Sequence, residues 1–161
     1  MTLRPGTTGD APFIQHVHEA SIRGAAVGIY SRAELESWAT ALHMDRYIWA
    51  MNFAGQRYIL AEVAKGEGGK LAGFCSWSPD RIVGLYIHPA WAGRGVATAL
   101  MDQAEDAIIA AAQPACIHLA ASAPARPFYE KRGYRVIRQR DWKTRGGLMI
   151  AAFDMEKPVS R

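Results

Sequence analysis

The 161-residue chain lacks most of the features that tie a sequence to a special environment. It has two cysteines, Cys75 and Cys116, both inside apolar runs and neither with a C-x-x-C partner. That excludes a disulfide scaffold and a thiolate metal set, and both are read as buried free thiols. No run approaches the roughly 20 apolar residues that cross a bilayer, and the opening MTLRPGTTGD has no signal-peptide core. A cytoplasmic location with no membrane partner is expected. His16, His18, His43 and His88 stand apart from any cluster of carboxylates or cysteines, so no metal centre is expected. Repeats and low-complexity tracts are absent, and Gly/Pro punctuation falls at short intervals, which reads as one domain over residues 1–161.

The formal charge is +4, an excess that suits an anionic partner but also ordinary solubility. The most basic stretch, RVIRQRDWKTR from Arg135 to Arg145, intersperses its charges with Val, Ile and Trp. It reads as the solvated face of a strand, and no nucleic-acid partner is expected.

What is present is a clear alternation of periods. Met1 to Arg4 can open a strand, and Asp10 can cap a helix through APFIQHVHEASIRGAA. Ser31 with Glu34 three residues later is a capping box for a second helix, with Leu35, Trp38 and Leu42 on one face. RYILAEVA and KLAGFCSWS, joined by the turn GEGG, read as an antiparallel hairpin, and RIVGLYIH follows as a third strand stopped by Pro89. Gly95 to Ala112 reads as a long helix, CIHLAAS as a strand, and PARPFYEKRG as a short helix ended by Gly133. Two last strands, about Tyr134 to Trp142 and Leu148 to Met155, flank Gly146-Gly147. The order is one strand, two helices, three strands, helix, strand, helix, two strands. It predicts an α/β (α+β type) fold with a mostly antiparallel sheet and one parallel pair around Gly93.

Gly93 and Gly95 sit between that third strand and the long helix. A strand-loop-helix of this kind aims unpaired N–H groups and the positive helix end at one point, where an anion, usually phosphate, fits. A tight turn with no ligand is the alternative. A nucleotide-triphosphate P-loop needs Gly-Lys-Ser/Thr, and Gly95-Val96-Ala97 lacks both Lys and hydroxyl. A dinucleotide fingerprint needs a third glycine, where Thr98 stands, and an acidic residue on the next strand, where CIHLAAS has none.

Ala92-Gly93-Arg94-Gly95-Val96-Ala97, after a strand ending in Ile87-His88-Pro89, resembles the pyrophosphate loop of the GCN5-related N-acetyltransferase (GNAT) family, Gln/Arg-x-x-Gly-x-Gly/Ala. It matches at Gly95 and Ala97 and departs at Ala92. SAPARPFYEKRGY, Ser122 to Tyr134, resembles the family's second signature, with Ser122 in place of the usual Asn, as in one bacterial branch. The resemblance spans nearly the whole chain. It implies a six- to seven-stranded sheet flanked by about four helices, with the third-region strand and CIHLAAS parallel and splayed to admit the pantetheine arm of acetyl-CoA.

By the same resemblance, Gly93, Arg94, Gly95, Val96, Ala97 and Thr98 would hold the pyrophosphate, and the backbone of Leu85, Tyr86 and Ile87 would hold pantetheine and thioester. Ser122 would line the channel, since no nucleophile elbow surrounds it. Tyr129 would protonate the departing thiolate. The general base stays open among Asp80, His118 and water. Tyr30, Trp38 and Trp49 are candidates for the substrate wall. The implied activity is transfer of acetyl from acetyl-CoA to a primary amine of a small molecule or protein. A non-catalytic acyl-CoA-binding regulatory module is the alternative, acyl chain length is open, and a homodimer is compatible with the sequence.

Overall fold

The computed structural model describes residues 1–24, 28–63 and 70–160. The chain runs β1 (Thr2–Pro5), α1 (Ala11–Arg23), α2 (Arg32–Ala39), α3 (Asp45–Phe53), β2 (Arg57–Glu62), β3 (Leu71–Ser78), β4 (Arg81–Ile87), α4 (Val96–Ala112), β5 (Cys116–Ser122), α5 (Arg126–Lys131), β6 (Arg135–Lys143) and β7 (Met149–Pro158). The seven strands form one sheet in the order β1-β2-β3-β4-β5-β7-β6, antiparallel except for β4 with β5. The α/β fold with one parallel pair is therefore as the sequence predicts. The GEGG turn lies outside the described residues.

Three expectations need correction. There are three helices, not two, before β2. The missed one, α3, has Met44 at its N-cap with no side-chain capping bond, and its Tyr, Ile, Trp and Phe residues favour strands. It forms because Tyr47 and Ala50, one turn apart, are buried on the sheet. Leu42 is not on the α2 face: the helix ends at Ala39, and Leu42 joins the same apolar cluster from the following segment. Cys75 is fully buried, whereas Cys116 is only partly so.

The sheet is covered on both faces. Ile59, Ala61, Cys75 and Trp77 point toward Leu100, Met101, Ala104 and Ile108 of α4. The alternate residues Tyr58, Leu60 and Phe74 meet Ile14, Val17 and Tyr47 of α1 and α3. β3 is thus buried on both sides, which is why its sequence is an unbroken apolar run without alternation. Under α2 a third cluster joins Ile22, Tyr30 and Leu35 to Ile150 of β7.

The basic stretch forms edge strand β6, and its arginines pair with β7. Arg135 meets Glu156 at 2.7 Å, and Arg138 and Arg140 share Asp154 at 2.8 and 3.1 Å. Arg145, beyond the strand, behaves differently. Gly146 packs its backbone onto Ser37, where an added Cβ would lie 2.4 Å from Oγ, and the Gly146 N–H donates to the Ser37 carbonyl at 2.8 Å. Ser37 Oγ and Thr144 Oγ1 lie 2.5 Å apart. This clasp of the β6–β7 turn onto α2 carries Arg145 inward, where its guanidinium donates to the carbonyls of Thr40, at 3.0 Å, and Trp38.

Leu100 has no exposed surface at the centre of the α4 cluster. Leu100→Ala is expected to destabilise the protein by about 2–5 kcal/mol in urea unfolding, with the native fold retained at low temperature.

Candidate functional site

β4 and β5 pair at only one register position, Arg81 with His118, supported by the His118 N–H donating to the Asp80 carbonyl at 2.9 Å. Beyond it each strand keeps its other neighbour. β4 stays on β3 through Ile87 and Gly73, and β5 stays on β7 through Ser122 and Ala152. A bulge places Val83 opposite no residue of β3, between the Gly84–Ser76 and Ile82–Trp77 pairs. The parallel strands therefore diverge, and their facing edges carry unpaired backbone groups.

The divergence opens a slot of about 70 Å³ lined by Leu85, Tyr86, Ala121, Ser122, Ala125 and Tyr129. On one side it meets a cleft of about 280 Å³ with Ile87, Pro89, Ala92 and Pro124 on its walls. Leu85, Tyr86 and Ser122 border both. The sequence-selected Leu85, Tyr86, Ile87, Ser122 and Tyr129 are thus brought together. Trp38 borders both spaces too.

Beyond the mouth, Gly93 and Gly95 adopt φ of 72° and 80°, the left-handed region. Gly95 caps α4 without any side-chain bond, so the first-turn N–H groups at Val96, Ala97 and Thr98 face outward from a 17-residue helix. A Cβ on either glycine would meet no protein atom within 4 Å. Glycine is required here by backbone conformation and leaves open space over the N–H groups. The Arg94 guanidinium lies 4.9 Å from the Trp91 ring centroid at the rim.

Tyr129 is 6 % exposed, and burial pushes its phenol well above the ordinary value, so it keeps its proton at any physiological pH. α5 is anchored below it by Glu105 of α4. That buried carboxylate accepts from Tyr134 Oη at 3.0 Å and pairs with Arg132 at 3.1 Å and Lys157 at 2.9 Å. This anchor was not foreseen, although Glu105 stands on the apolar face of α4.

The base candidates Asp80 and His118 sit at the closed end of the slot and line none of these spaces. Tyr30 is not in the wall either: it is buried, and its Oη accepts the Ala123 N–H at 3.1 Å, pinning the chain that leaves β5. Trp49, 60 % exposed, borders the outer cavity described next.

On the far side of Tyr86 lie two cavities, of about 220 and 420 Å³, that share His18, Arg46, Val83 and Tyr86. None of their charged residues was singled out from the sequence. The Tyr86 ring lies over Gly84, where a Cβ would sit 3.0 Å from Cε2, and its centroid is 3.9 Å from the His18 ring. His18 is 5 % exposed; Nδ1 lies 2.8 Å from Tyr47 Oη, and the buried Nε2 has no partner. Burial first, then the charges of Arg145 and Arg46, pull the imidazole down to about 3. It is neutral and a poor base. Burial and Arg46 likewise lower Arg145, which stays a cation.

The sequence matches the family described as Acetyltransferase (GNAT) domain over residues 26–158. A GCN5-related N-acetyltransferase structure from Rhodopseudomonas palustris is 31% identical, with a TM-score of 0.83 over 98% of this chain and 95% of that one. PaiA N-acetyltransferase from Thermoplasma acidophilum, solved with coenzyme A, is 19% identical, with a TM-score of 0.71 over 99% and 100%. A spermidine N-acetyltransferase from Vibrio cholerae is 18% identical, with a TM-score of 0.66 over 98% and 95%. Comparison with curated proteins returned no match. The chain belongs to the GNAT acetyltransferase family, with acetyl-CoA as its acetyl donor. No helix among the described residues is long and apolar enough to cross a membrane.

Because folding depresses the His18 value from 6.5 to about 3, the unfolded chain binds a proton that the folded chain refuses between those limits. Stability is expected to fall as pH drops below about 6.5, by up to ~1.4 kcal/mol per pH unit from this residue. His18→Phe should flatten that part of the curve in urea titrations at pH 6.5 to 4.

Proposed function

We propose that the protein is an N-acetyltransferase that moves acetyl from acetyl-CoA directly to a primary amine, as a single catalytic domain. The observation that carries this reading is the run of adjoining spaces from the cleft at Pro89 and Ala92, just before the α4 loop, through the slot between β4 and β5, to a cavity beyond Tyr86. A donor and an acceptor can enter from opposite sides and meet at Tyr129. A non-catalytic CoA-binding module would need the first half of that path alone, so the acceptor-side cavity favours the enzyme.

In this reading the N–H groups around Gly93, Arg94, Gly95, Val96, Ala97 and Thr98 hold the pyrophosphate. Pantetheine adds to the free edge of β4 at Leu85, Tyr86 and Ile87, with Ser122 opposite, as an extra strand would. The bound amine attacks the thioester carbon, an N–C bond forms, and the tetrahedral oxyanion is held by β4 edge N–H groups. The intermediate loses a nitrogen proton to water and collapses, the C–S bond breaks, sulfur takes the Tyr129 proton, and water returns a proton to the phenolate.

The elevated phenol makes full transfer to a thiolate of ordinary value near 8.5 uphill. The proton therefore moves as the bond breaks, and Tyr129 acts chiefly through its hydrogen bond to the developing sulfur charge. The alkaline limb of the rate profile will not report this phenol, contrary to what an unperturbed tyrosine would give.

No carboxylate base is needed where the amine arrives neutral. Burial and the charges of Arg145 and Arg46, which together depress His18, also disfavour an ammonium bound in the same cavity and favour loss of its proton to water. The proposed location is cytoplasmic, with a homodimer compatible with the geometry.

Tyr129→Phe is expected to lower single-turnover rates roughly 10²- to 10⁴-fold while leaving acetyl-CoA affinity unchanged. A variant as fast as the parent would make Tyr129 a packing residue. Gly95→Ala must hold a side chain at positive φ, at a cost of about 1–2 kcal/mol, and distorts the N–H cradle. Calorimetry should show weakened acetyl-CoA binding, whereas unchanged affinity would place the pyrophosphate elsewhere.

A further inference from the structure

The acceptor-side cavities carry a charge pattern that selects among amines. Three guanidinium groups, of Arg46, Arg140 and Arg145, border the inner cavity, and no Asp or Glu among the described residues does. Arg140, at 3.1 Å, shares the single charge of Asp154 with Arg138 and is partly compensated by it. Arg46 has no carboxylate partner among the described residues, and Arg145 is held by the carbonyls of Trp38 and Thr40, which orient it without cancelling its charge. Two positive charges thus remain uncompensated beside a partly aromatic wall.

His18 adds an independent sign of a missing ligand. Its Nε2 is buried without a partner, and such orphaned polar atoms are rare unless something absent satisfies them. Nδ1 is occupied by Tyr47 Oη at 2.8 Å, which leaves Nε2 as the ring nitrogen without a partner.

Such a surface repels a polyamine, whose several ammonium groups would face two free guanidiniums. It matches an acceptor that brings its own anion. We propose that the acceptor is a small amine bearing a carboxylate, an amino-acid-type molecule whose carboxylate is held by Arg46 and Arg145 and whose amine reaches past Tyr86 to the thioester. An amino acid fits inside a cavity of about 220 Å³, whereas a peptide would have to leave through the outer, 420 Å³ space. The carboxylate also offsets the cationic field only partly, so the amine beside it still loses its proton more readily than in water.

The inference rests on the acetyltransferase reading and is tested separately from it. Thiol release from acetyl-CoA is measured with the twenty standard amino acids, their carboxamides, the corresponding decarboxylated amines, short peptides and spermidine. At least one free amino acid should be turned over, and its carboxamide should lose roughly 10²-fold in kcat/KM. Arg46 is exposed at the rim of the cavity, so Arg46→Gln should fold normally. It should raise KM for the amino acid about tenfold or more, with acetyl-CoA affinity little changed and a much smaller effect on the carboxamide.

Preference for spermidine, for carboxamides or for uncharged amines overturns the proposal while leaving acetyl transfer intact. Preference for peptides with a free carboxylate overturns the small-molecule part. An equal effect of Arg46→Gln on amino acid and carboxamide also overturns it. Failure of acetyl-CoA to bind at all removes the acetyltransferase reading instead. If acetyl-CoA binds but no acceptor is turned over, calorimetry of the corresponding N-acetyl amino acids against the CoA complex decides. Binding weakened by Arg46→Gln supports a carboxylate site, and absence of binding overturns it.

Discussion

The structure depends on two strands that do not pair. β4 and β5 touch at Arg81 and His118 and then part, although nothing in their sequences forbids a longer ladder. Each is held by a stronger commitment on its other side: β5 keeps seven residues in register with β7, and β4 keeps its antiparallel ladder with β3. The Val83 bulge increases the twist of β4 where they begin to diverge. Tyr30 fixes the chain just past Ser122 on the far side of the gap. Backbone groups left bare in a sheet interior are costly unless something pairs with them. In the reading proposed here that something is the acetyl donor, for which the gap is kept open at the expense of local stability.

The rest of the molecule supports the two banks of the gap. α4 packs its apolar face under β3 and β4 and presents its uncapped N-terminus at the mouth, while Glu105 on the same helix ties down the segments that carry Tyr129. A single helix therefore fixes both the proposed anion cradle and the proposed proton donor. On the opposite bank, the close approach of Gly146 to Ser37 couples the β6–β7 turn to α2, which sets Trp38 and Arg145 against the acceptor cavity.

The donor half of this arrangement was legible in the sequence because it is built from neighbours in the chain. A strand, two glycines and a helix specify the cradle locally, and PFYEKRGY specifies α5. The capping box at Ser31 marked α2 for the same reason, since Ser31 Oγ accepts from the Glu34 N–H at 3.1 Å. The acceptor half was not legible. His18, Arg46, Gly84 and Arg145 come from four separate elements and meet only through packing. Arg145 was read with the solvated edge strand, and only the clasp at Gly146 turns it inward. α3 carried no cap and an ambiguous period, so the helix that supplies Arg46 was missed altogether. Asp80 and His118 were attractive by residue type, but they belong to the closed end, where the strands still hold each other.

The two halves differ in electrostatic character, and the proposed reaction uses that difference. Acyl transfer from a thioester starts with a neutral amine, passes through an intermediate with positive nitrogen and negative oxygen, and ends with a proton on sulfur. Positive charge on nitrogen develops beside Arg46 and Arg145, where it is disfavoured, so proton loss from nitrogen is promoted once the bond has formed. Negative charge on sulfur develops beside a buried phenol that holds its proton at neutral pH and is therefore always available as a donor. With the arginines at the sulfur and the phenol at the amine, the nitrogen would keep its positive charge more easily, and its proton would leave more slowly. The separation of a cationic acceptor bank from an apolar, phenol-bearing donor bank therefore places each charge effect at the atom where the proposed reaction needs it.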